Sequence, residues 1–297
     1  MSTQDYVLCC ESTADMPASF FEDNHIPYAC FHFLLDGKEY PDDLGQTMSF
    51  EHFYQRISEG AMPTTSAINT GEYIQTWQPY LDAGHDILHI SFSSGLSSSY
   101  ETAVETARQL KAEYPERTIL VVDSRGASSG YGMLVALAYE QKQAGLSLED
   151  LAAWVKERRL HIHHWFFSTD LSSYFRGGRI SRGSAMLGTL LNICPLLNMN
   201  DEGKLIPRSK VRTKKKAMLE MVEEMEKHVQ DGHDYHGRCY LSNSACREDA
   251  EAVAALIRER FPHINGEIMI NSVGTVIGTH TGPGTVALFF EGDERTH

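Results

Sequence analysis

The chain has 297 residues, of which 42% are hydrophobic and 22% charged, and its net charge is −14. This apolar fraction is typical of a folded protein, and the length allows two domains of ordinary size. The acidic balance argues against nucleic acid as the main partner, because phosphate backbones select basic surfaces. No apolar run approaches the ~18 residues of a membrane span. The start, MSTQDYVLCC, lacks the basic residues and long apolar stretch of a secretion signal. We therefore expect a cytoplasmic protein without stable membrane insertion.

Short segments rich in Val, Ile and Phe alternate with segments of helical period in the first part of the chain. Strands are predicted at 6–10, 28–35, 86–92 and 118–124. Helices are predicted after hydroxyl caps at Ser12 and Thr13, and at 49–60, 70–84, 99–114, 129–145 and 147–159. Strands separated by helices indicate right-handed crossovers and a mostly parallel sheet. We assign residues 1–160 to an N-terminal α/β domain.

The pattern changes after residue 160. Residues 193–200 and 205–212 read as two strands joined by a turn, and a long charged helix is predicted from about 213 to 231. A strand at 238–244, a helix at 246–261 and a strand at 267–273 follow, whereas 176–191 reads as loop and short helix. We assign residues 161–297 to a second α/β domain.

The six cysteines show no metal-binding pattern. None forms a C-x-x-C pair, and thiolate zinc sites need such tight spacing. We expect them to be buried and reduced, as cysteine usually is in a reducing compartment.

Three polar stretches stand out as candidates for ligand binding. MPTTSAINTGEY (62–73) and SFSSGLSSSYETA (91–103) both precede predicted helices, and GTHTGPGTVALFF (278–290) places His280 in a glycine-rich turn. Ligands of open α/β sheets bind beyond the carboxyl ends of the strands, where the N–H groups of helix starts suit an oxyanion. A single Ser or Thr before a helix is usually only a cap. Six serines in 91–103 exceed what one cap needs.

Six motifs together resemble the DegV family: ESTADMP (11–17), PTTS (63–66), SSGLSSSY (93–100), VVDS (121–124), RGGRIS (176–181) and GTHTGPG (278–284). The resemblance spans nearly the whole chain. It implies a two-domain α/β protein that binds a long-chain fatty acid in a tunnel between the domains. It also implies a role as the binding subunit of a bacterial fatty acid kinase, which presents the acyl carboxylate to a separate ATP-using subunit.

The resemblance also implies site residues. Thr65, with Ser66 beside it, Ser97 and His280 would contact the carboxylate, and Arg212 would face the kinase subunit or its phosphate.

The motifs depart from the family pattern at three places: the usual opening Asp is Glu11, the Gln after Thr-Ser is Ala67, and Gly-Thr after the key serine is Ser98-Ser99. The last change restricts the backbone of that loop, because glycine permits conformations that serine does not. None of the three removes a proposed carboxylate contact.

A fatty acid needs a dry tunnel and hydrogen-bond donors. Residues 28–35, 186–191 and 286–290 can supply apolar walls, and each buried CH₂ contributes ~0.8 kcal/mol. A buried head group is costly unless it is hydrogen-bonded. A neighbouring anion raises the pKa of a histidine. We therefore expect His280 to hold the carboxylate.

A basic segment, KLIPRSKVRTKKK (204–216), carries seven basic residues in thirteen. It is either the solvated start of the long helix or a basic face for an acidic partner or its nucleotide phosphates. Three consecutive lysines at a helix start oppose the helix dipole, which fits poorly with the first interpretation.

Two other functions remain open. A serine esterase or thioesterase could use Ser97 or Ser124 with His280, although neither serine lies in a G-x-S-x-G motif. A regulatory module could instead sense the lipid. We expect no catalysis by the chain itself, no cofactor, no dinucleotide at Gly177-Gly178, and a bound fatty acid as ligand.

HIHH (161–164) resembles a metal cluster, but a metal is not expected there. Alternation places His161 and His163 on one face and His164 on the other, and no carboxylate follows until Asp170.

Overall fold

The computed structural model describes residues 6–180 and 193–296, which form a mixed α/β fold. The strands are β1 (Tyr6–Glu11), β2 (Tyr28–Ala29), β3 (His32–Leu35), β4 (Lys38–Pro41), β5 (Thr64–Ser66), β6 (Asp86–Ser91), β7 (Ile119–Asp123), β8 (Ile162–Ser168), β9 (Leu196–Met199), β10 (Leu205–Ser209), β11 (Cys239–Asn243), β12 (Met269–Ser272) and β13 (Thr285–Glu291). The helices are α1 (Ala18–Asp23), α2 (Phe50–Ser58), α3 (Thr70–Asp82), α4 (Ser99–Glu113), α5 (Ser128–Gln143), α6 (Leu148–Arg158), α7 (Ser172–Arg176), α8 (Lys214–His228), α9 (Arg247–Arg260) and α10 (Thr275–Thr281).

The first sheet is parallel, with the strand order β2-β1-β6-β7. Its two central strands, β1 and β6, are almost wholly buried, as the apolar runs at 6–10 and 86–92 predicted. The helices predicted between these strands are present, and Ser49 and Ser147 cap α2 and α6. The predicted parallel α/β arrangement is therefore confirmed for this part of the chain.

Residues 28–35 were predicted to form one strand, but they form two, β2 and β3. β2 joins the parallel sheet, whereas β3 turns back at Asp36-Gly37 and pairs with β4. Both turn residues have positive φ, 52° and 79°, which is the conformation of a tight hairpin. β3 also pairs with β5, so that Thr65 lies opposite Phe33 in a small antiparallel sheet.

The predicted caps at Ser12 and Thr13 are wrong. Both residues lie in a short 3-10 turn, and α1 begins only after Pro17. The Ser12 hydroxyl is buried and donates instead to Asp42, at 3.0 Å.

The glycine-rich turn predicted around His280 is in fact the helix α10. Gly282 ends it with a φ of 67°, a conformation that glycine adopts without steric cost. His280 therefore stands in the last turn of a helix.

The second sheet is mixed, with the order β10-β9-β8-β13-β11-β12. The predicted hairpin is formed by β9 and β10, and the long charged helix is α8, capped by Thr213. α5 packs against both halves of the chain, since it contacts β8, β11 and β13 of this sheet as well as α6. The domain boundary near residue 160 stays a prediction.

All six cysteines are free thiols, four of them buried and two half-buried. Within the two described ranges, no helix combines the length and the apolar composition that a bilayer crossing would need.

Candidate functional site: a cavity closed by Thr65 and His280

A largely apolar cavity lies where the three sheets meet. Its volume is about 170 Å³, more than ten times the ~10–15 Å³ that one water molecule needs. Aromatic and aliphatic side chains from both halves of the chain line it, among them Phe31, Phe92, Phe166, Met199, Val276 and Phe289. Such a space suits an apolar ligand.

Two of the three segments predicted to line a tunnel reach this cavity. Residues 28–35 contribute Phe31, and 286–290 contribute Ala287 and Phe289. The third segment, 186–191, lies outside the described residues.

The polar end of the cavity is formed by residues far apart in the chain. Thr65 Oγ1 and His280 Nε2 lie 2.8 Å apart, and a hydrogen bond joins them. Pairing with β3 fixes Thr65, and the last turn of α10 carries His280. The structure thus joins the first half of the chain to the second at this point.

Ser97 lines the same cavity, at the start of α4. Its hydroxyl accepts a hydrogen bond from the backbone N–H of Ser99, at 3.2 Å, and lies 2.9 Å from the Ser99 hydroxyl. The loop between β6 and α4, residues 92–98 (the serine loop), therefore leads into a turn that fixes the orientation of the Ser97 side chain, as short Ser turns do.

The ring of His280 is neutral in this environment. Burial, together with the nearby cations Arg179 and Arg176, lowers its pKa from 6.5 to about 3. Its Nδ1 atom is buried and forms no hydrogen bond with any described residue. A carboxylate beside the ring would act in the opposite direction and raise the pKa.

Gly177 allows the ring to lie where it does. A Cβ atom at this position would lie 2.2 Å from His280 Nδ1. The φ of Gly177 is −74°, so the requirement for glycine here is steric and not conformational. Close approach to His280 is thus a physical reason for the glycine in the RGGRIS motif.

Arg179 is a site residue that sequence analysis missed. Its half-buried guanidinium lines the cavity and donates to the carbonyl oxygens of Leu96, at 3.3 Å, and Gly177, at 2.5 Å. Burial lowers its pKa. It forms no ion pair with a described carboxylate, so its charge can be matched by an anionic ligand. The only signal in the sequence was two arginines flanking a glycine pair.

Two other predicted site residues point away from this cluster. Ser66 borders the cavity, but its hydroxyl donates to Glu39, at 3.4 Å. Arg212 is exposed in the turn before α8 and forms no hydrogen bond or ion pair with another described residue.

The basic segment is partly neutralised, because Lys204 pairs with Glu202 and Lys214 pairs with Asp249.

The described residues do not assemble a hydrolase triad around Ser97 or Ser124. Ser124 is buried and donates to the carbonyl of Gly126, at 3.4 Å, and Ser97 bonds to Ser99. Among the described residues, His280 Nε2 meets Thr65 instead of either serine, and no carboxylate orients Nδ1. A nucleophile needs a base within hydrogen-bond reach and a group that orients the base.

His163 and His164 lie on opposite faces of β8, as the alternation predicted, whereas His161 lies in the 3-10 turn before the strand. His164 lines the cavity, and its Nε2 accepts from the Ala127 N–H at 3.2 Å. His163 faces the other way and joins His228 and Asp293, a carboxylate that sequence spacing did not indicate. The two rings stack 4.5 Å apart at 25°. Hydrogen bonds join this cluster, because His228 Nδ1 lies 2.9 Å from Asp293 Oδ1 and His163 Nε2 lies 3.0 Å from the Asp293 carbonyl oxygen.

Comparison with known proteins gives one consistent family. A family model described as "Uncharacterised protein, DegV family" matches residues 7–293. A DegV domain-containing protein of Clostridium perfringens is 36% identical over 290 residues, which cover 98% of both chains. One from Streptococcus pyogenes is 32% identical over 97% of this chain and 98% of its own.

Solved structures have the same fold. A DegV family protein from Thermus thermophilus, described with fatty acid binding, is 29% identical with a TM-score of 0.85, covering 97% of this chain and 99% of its own. A DegV lipid-binding protein from Thermotoga maritima is 26% identical with a TM-score of 0.85, covering 98% of this chain and 100% of its own.

Proposed function

This chain belongs to the DegV family, and from that premise we propose that it binds a long-chain fatty acid and presents the carboxylate to a partner kinase. The observation that carries this proposal is an apolar cavity with Thr65, His280 and the guanidinium of Arg179 at one polar end.

The two ends of the ligand have different physical requirements. The acyl tail gains ~0.8 kcal/mol for each CH₂ removed from water, which supplies most of the affinity. The carboxylate loses its hydration and needs donors in return. Hydroxyls of Thr65 and Ser97, the His280 ring and the charge of Arg179 can provide them. Ser66 belongs to the rim of this site.

In the proposed reaction the chain supplies a positioned nucleophile and no catalysis. A carboxylate oxygen attacks the γ-phosphorus of ATP held by the kinase, which forms acyl phosphate and releases ADP. The exposed Arg212, with the basic segment around it, is suited to meet the acidic surface of the kinase or its phosphates. A cytoplasmic location suits a partner that uses ATP.

Native mass spectrometry of protein purified from cells, without added lipid, tests fatty acid binding. We expect one acyl chain per protein, and protein that is consistently empty would contradict the proposal. Ser97→Ala and His280→Ala should each weaken fatty acid binding by about 1.5–3 kcal/mol, because each removes a charge-assisted hydrogen bond. Unchanged affinity in both variants would refute the site.

The transfer step has its own test. Arg212→Ala should leave fatty acid affinity unchanged but lower the rate of acyl phosphate formation by the kinase. Hydrolysis of a nitrophenyl ester that disappears in Ser97→Ala would favour the esterase function instead.

A further inference from the structure

The first turn of α10 lies against two buried carboxylates from the first half of the chain. Asp42 Oδ1 accepts from the backbone N–H of Thr275, at 3.1 Å, and from its hydroxyl, at 2.6 Å. Asp15 Oδ1 accepts from the N–H of Gly274, at 3.0 Å. Asp42 is 1% and Asp15 5% exposed, so neither carboxylate is a solvated surface group.

The remaining oxygen of Asp42 accepts from Ser12, at 3.0 Å, and that of Asp15 accepts from Ser128, at 2.5 Å. In all five of these hydrogen bonds the aspartate oxygen is the acceptor, and the donor is an N–H or a hydroxyl group of the chain. Nothing in the proposed fatty acid site uses either carboxylate. Their shared feature is that both hold the same helix start, where N–H groups lack partners within the helix.

The backbone around this contact is tightly constrained. Asp15 and Ser128, which bond to each other, have φ values of 47° and 52°, an uncommon conformation that costs energy outside glycine. A Cβ atom at Gly274 would lie 2.5 Å from Asp15 Oδ1. In addition, the Tyr54 hydroxyl donates to the Val273 carbonyl, at 2.9 Å.

α10 connects this contact to the polar end of the cavity. It has seven residues and is therefore ~10 Å long. Its first turn meets Asp15 and Asp42, and its last turn carries His280, which meets Thr65. Backbone hydrogen bonds from Gly278 to Gly274 and from Gly282 to Gly278 connect the two turns. We therefore expect a shift at the helix start to displace the His280 ring.

We propose that Asp42, supported by Asp15, is a positioning residue that sets the place of His280 for the ligand carboxylate. This inference rests on the proposed fatty acid site and names the groups that keep it assembled. It assigns the two carboxylates no contact with the ligand.

The test compares two ligands that share a tail and differ at the head. Hexadecanoic acid and hexadecan-1-ol are titrated into lipid-free wild type, Asp42→Asn and Thr275→Val. The second variant keeps the shape of the side chain and removes only its hydrogen bond to Asp42. We expect each variant to bind the acid about tenfold more weakly and the alcohol no more than about twofold more weakly.

The matched control is Asp43→Asn. It makes the same chemical change one residue along, at a carboxylate that caps Thr47 and does not touch α10. It should leave both affinities unchanged.

A double-mutant cycle with His280→Ala separates positioning from general damage. If Asp42 acts through His280, the tenfold loss for the acid should shrink to about twofold or less in the His280→Ala background. Equal losses for acid and alcohol, or a loss that persists without His280, would overturn the inference. Thr275→Val decides the question alone if Asp42→Asn does not fold. Wild type that binds neither ligand would instead contradict the proposed function.

Discussion

The chemical state of His280 follows from its neighbours. The ring lies in a mostly apolar cavity near two arginines, and these surroundings disfavour its charged form. A neutral ring can still donate one hydrogen bond through Nε2 or accept one there. Bound carboxylate would stabilise the charged form, so ligand binding and protonation of this residue should favour each other.

Because the pKa of His280 is lowered in the folded protein, we expect the free energy of unfolding to depend on pH. The unfolded chain protonates His280 below its ordinary pKa of 6.5, whereas the folded chain does so only near 3. The folded state therefore loses stability as the pH falls from 6.5 towards 3, by about 2 kcal/mol at pH 5. Urea unfolding of lipid-free protein at pH 7.5 and 5.0 measures this loss. In His280→Asn the loss should be about 2 kcal/mol smaller.

The exposed histidine of α2, His52, provides the control for that experiment. His52→Asn should lose as much stability as wild type on acidification. Equal losses in wild type and His280→Asn would show that His280 does not titrate as described.

Gly177→Ala should displace the His280 ring, because the added Cβ would lie 2.2 Å from Nδ1. Overpacking of this kind costs about 1–3 kcal/mol, and we expect about tenfold weaker fatty acid binding by fluorescence displacement. The control is Gly71→Ala in α3, where the added Cβ would meet only Asn69 Oδ1, at 3.2 Å. Full affinity in Gly177→Ala would mean that the ring position is unimportant for binding.

At the scale of elements, the turn of the β9–β10 hairpin packs against the serine loop. The Ser93 hydroxyl donates to the carbonyl of Gly203 in the hairpin turn, at 2.8 Å. The flanking residues Met199 and Leu205 line the cavity. The loop that carries Ser97 is therefore shaped by an element from the second half of the chain.

Gly95→Ala should disrupt the contact between the β9–β10 hairpin and the serine loop. A Cβ atom at Gly95 would lie 2.7 Å from the carbonyl oxygens of Glu202 and Gly203, and backbone atoms yield little. We expect the free energy of unfolding in urea to fall by about 1–3 kcal/mol. Ser98→Ala, an exposed position in the same loop, should change it by no more than about 0.5 kcal/mol. Similar stability of the two variants would argue against a tight contact.

At the scale of the whole molecule, Arg295 joins the two halves. This residue is 4% exposed. Its guanidinium donates to the carbonyls of Arg125 and Arg159 on one side and of Met199 and Asn200 on the other. Burial, with Arg125 nearby, lowers its pKa to about 9, so it remains charged at pH 7. The four carbonyls compensate for lost hydration.

Arg295→Met should lower the free energy of unfolding by about 3 kcal/mol, because it removes the hydrogen bonds from a buried guanidinium to four carbonyl oxygens. The measurement is urea unfolding at pH 7. Arg258→Met removes an exposed arginine from α9 and is the matched control, with little expected change. If both variants unfold alike, Arg295 does not hold the halves together.

The local pattern of apolar and capping residues was enough to predict much of the fold. Strands β1, β6 and β7 were predictable because buried parallel strands read as apolar runs, and α2 and α6 because Ser49 and Ser147 cap them. The hydroxyl stretches and the motif resemblance also indicated Thr65, Ser97 and His280 as candidate site residues.

Tertiary structure decided the rest. Periodicity could not reveal that 28–35 divides between two sheets, because both pieces are equally apolar and extended. It could not reveal α10 either, since Gly278 and Thr279 are poor helix formers. The carboxylates that hold the helix start, at Gly274 and Thr275, come from distant parts of the chain. Thr65 and His280 lie 215 positions apart, and the cation Arg179 lies between them in the chain. The sequence by itself indicated Thr65, Ser97 and His280 as groups that could hold a fatty acid carboxylate, but it did not indicate Arg179. The meeting of Thr65 and His280 at one end of an apolar cavity came from packing, because local propensity carries no information about contacts across such distances.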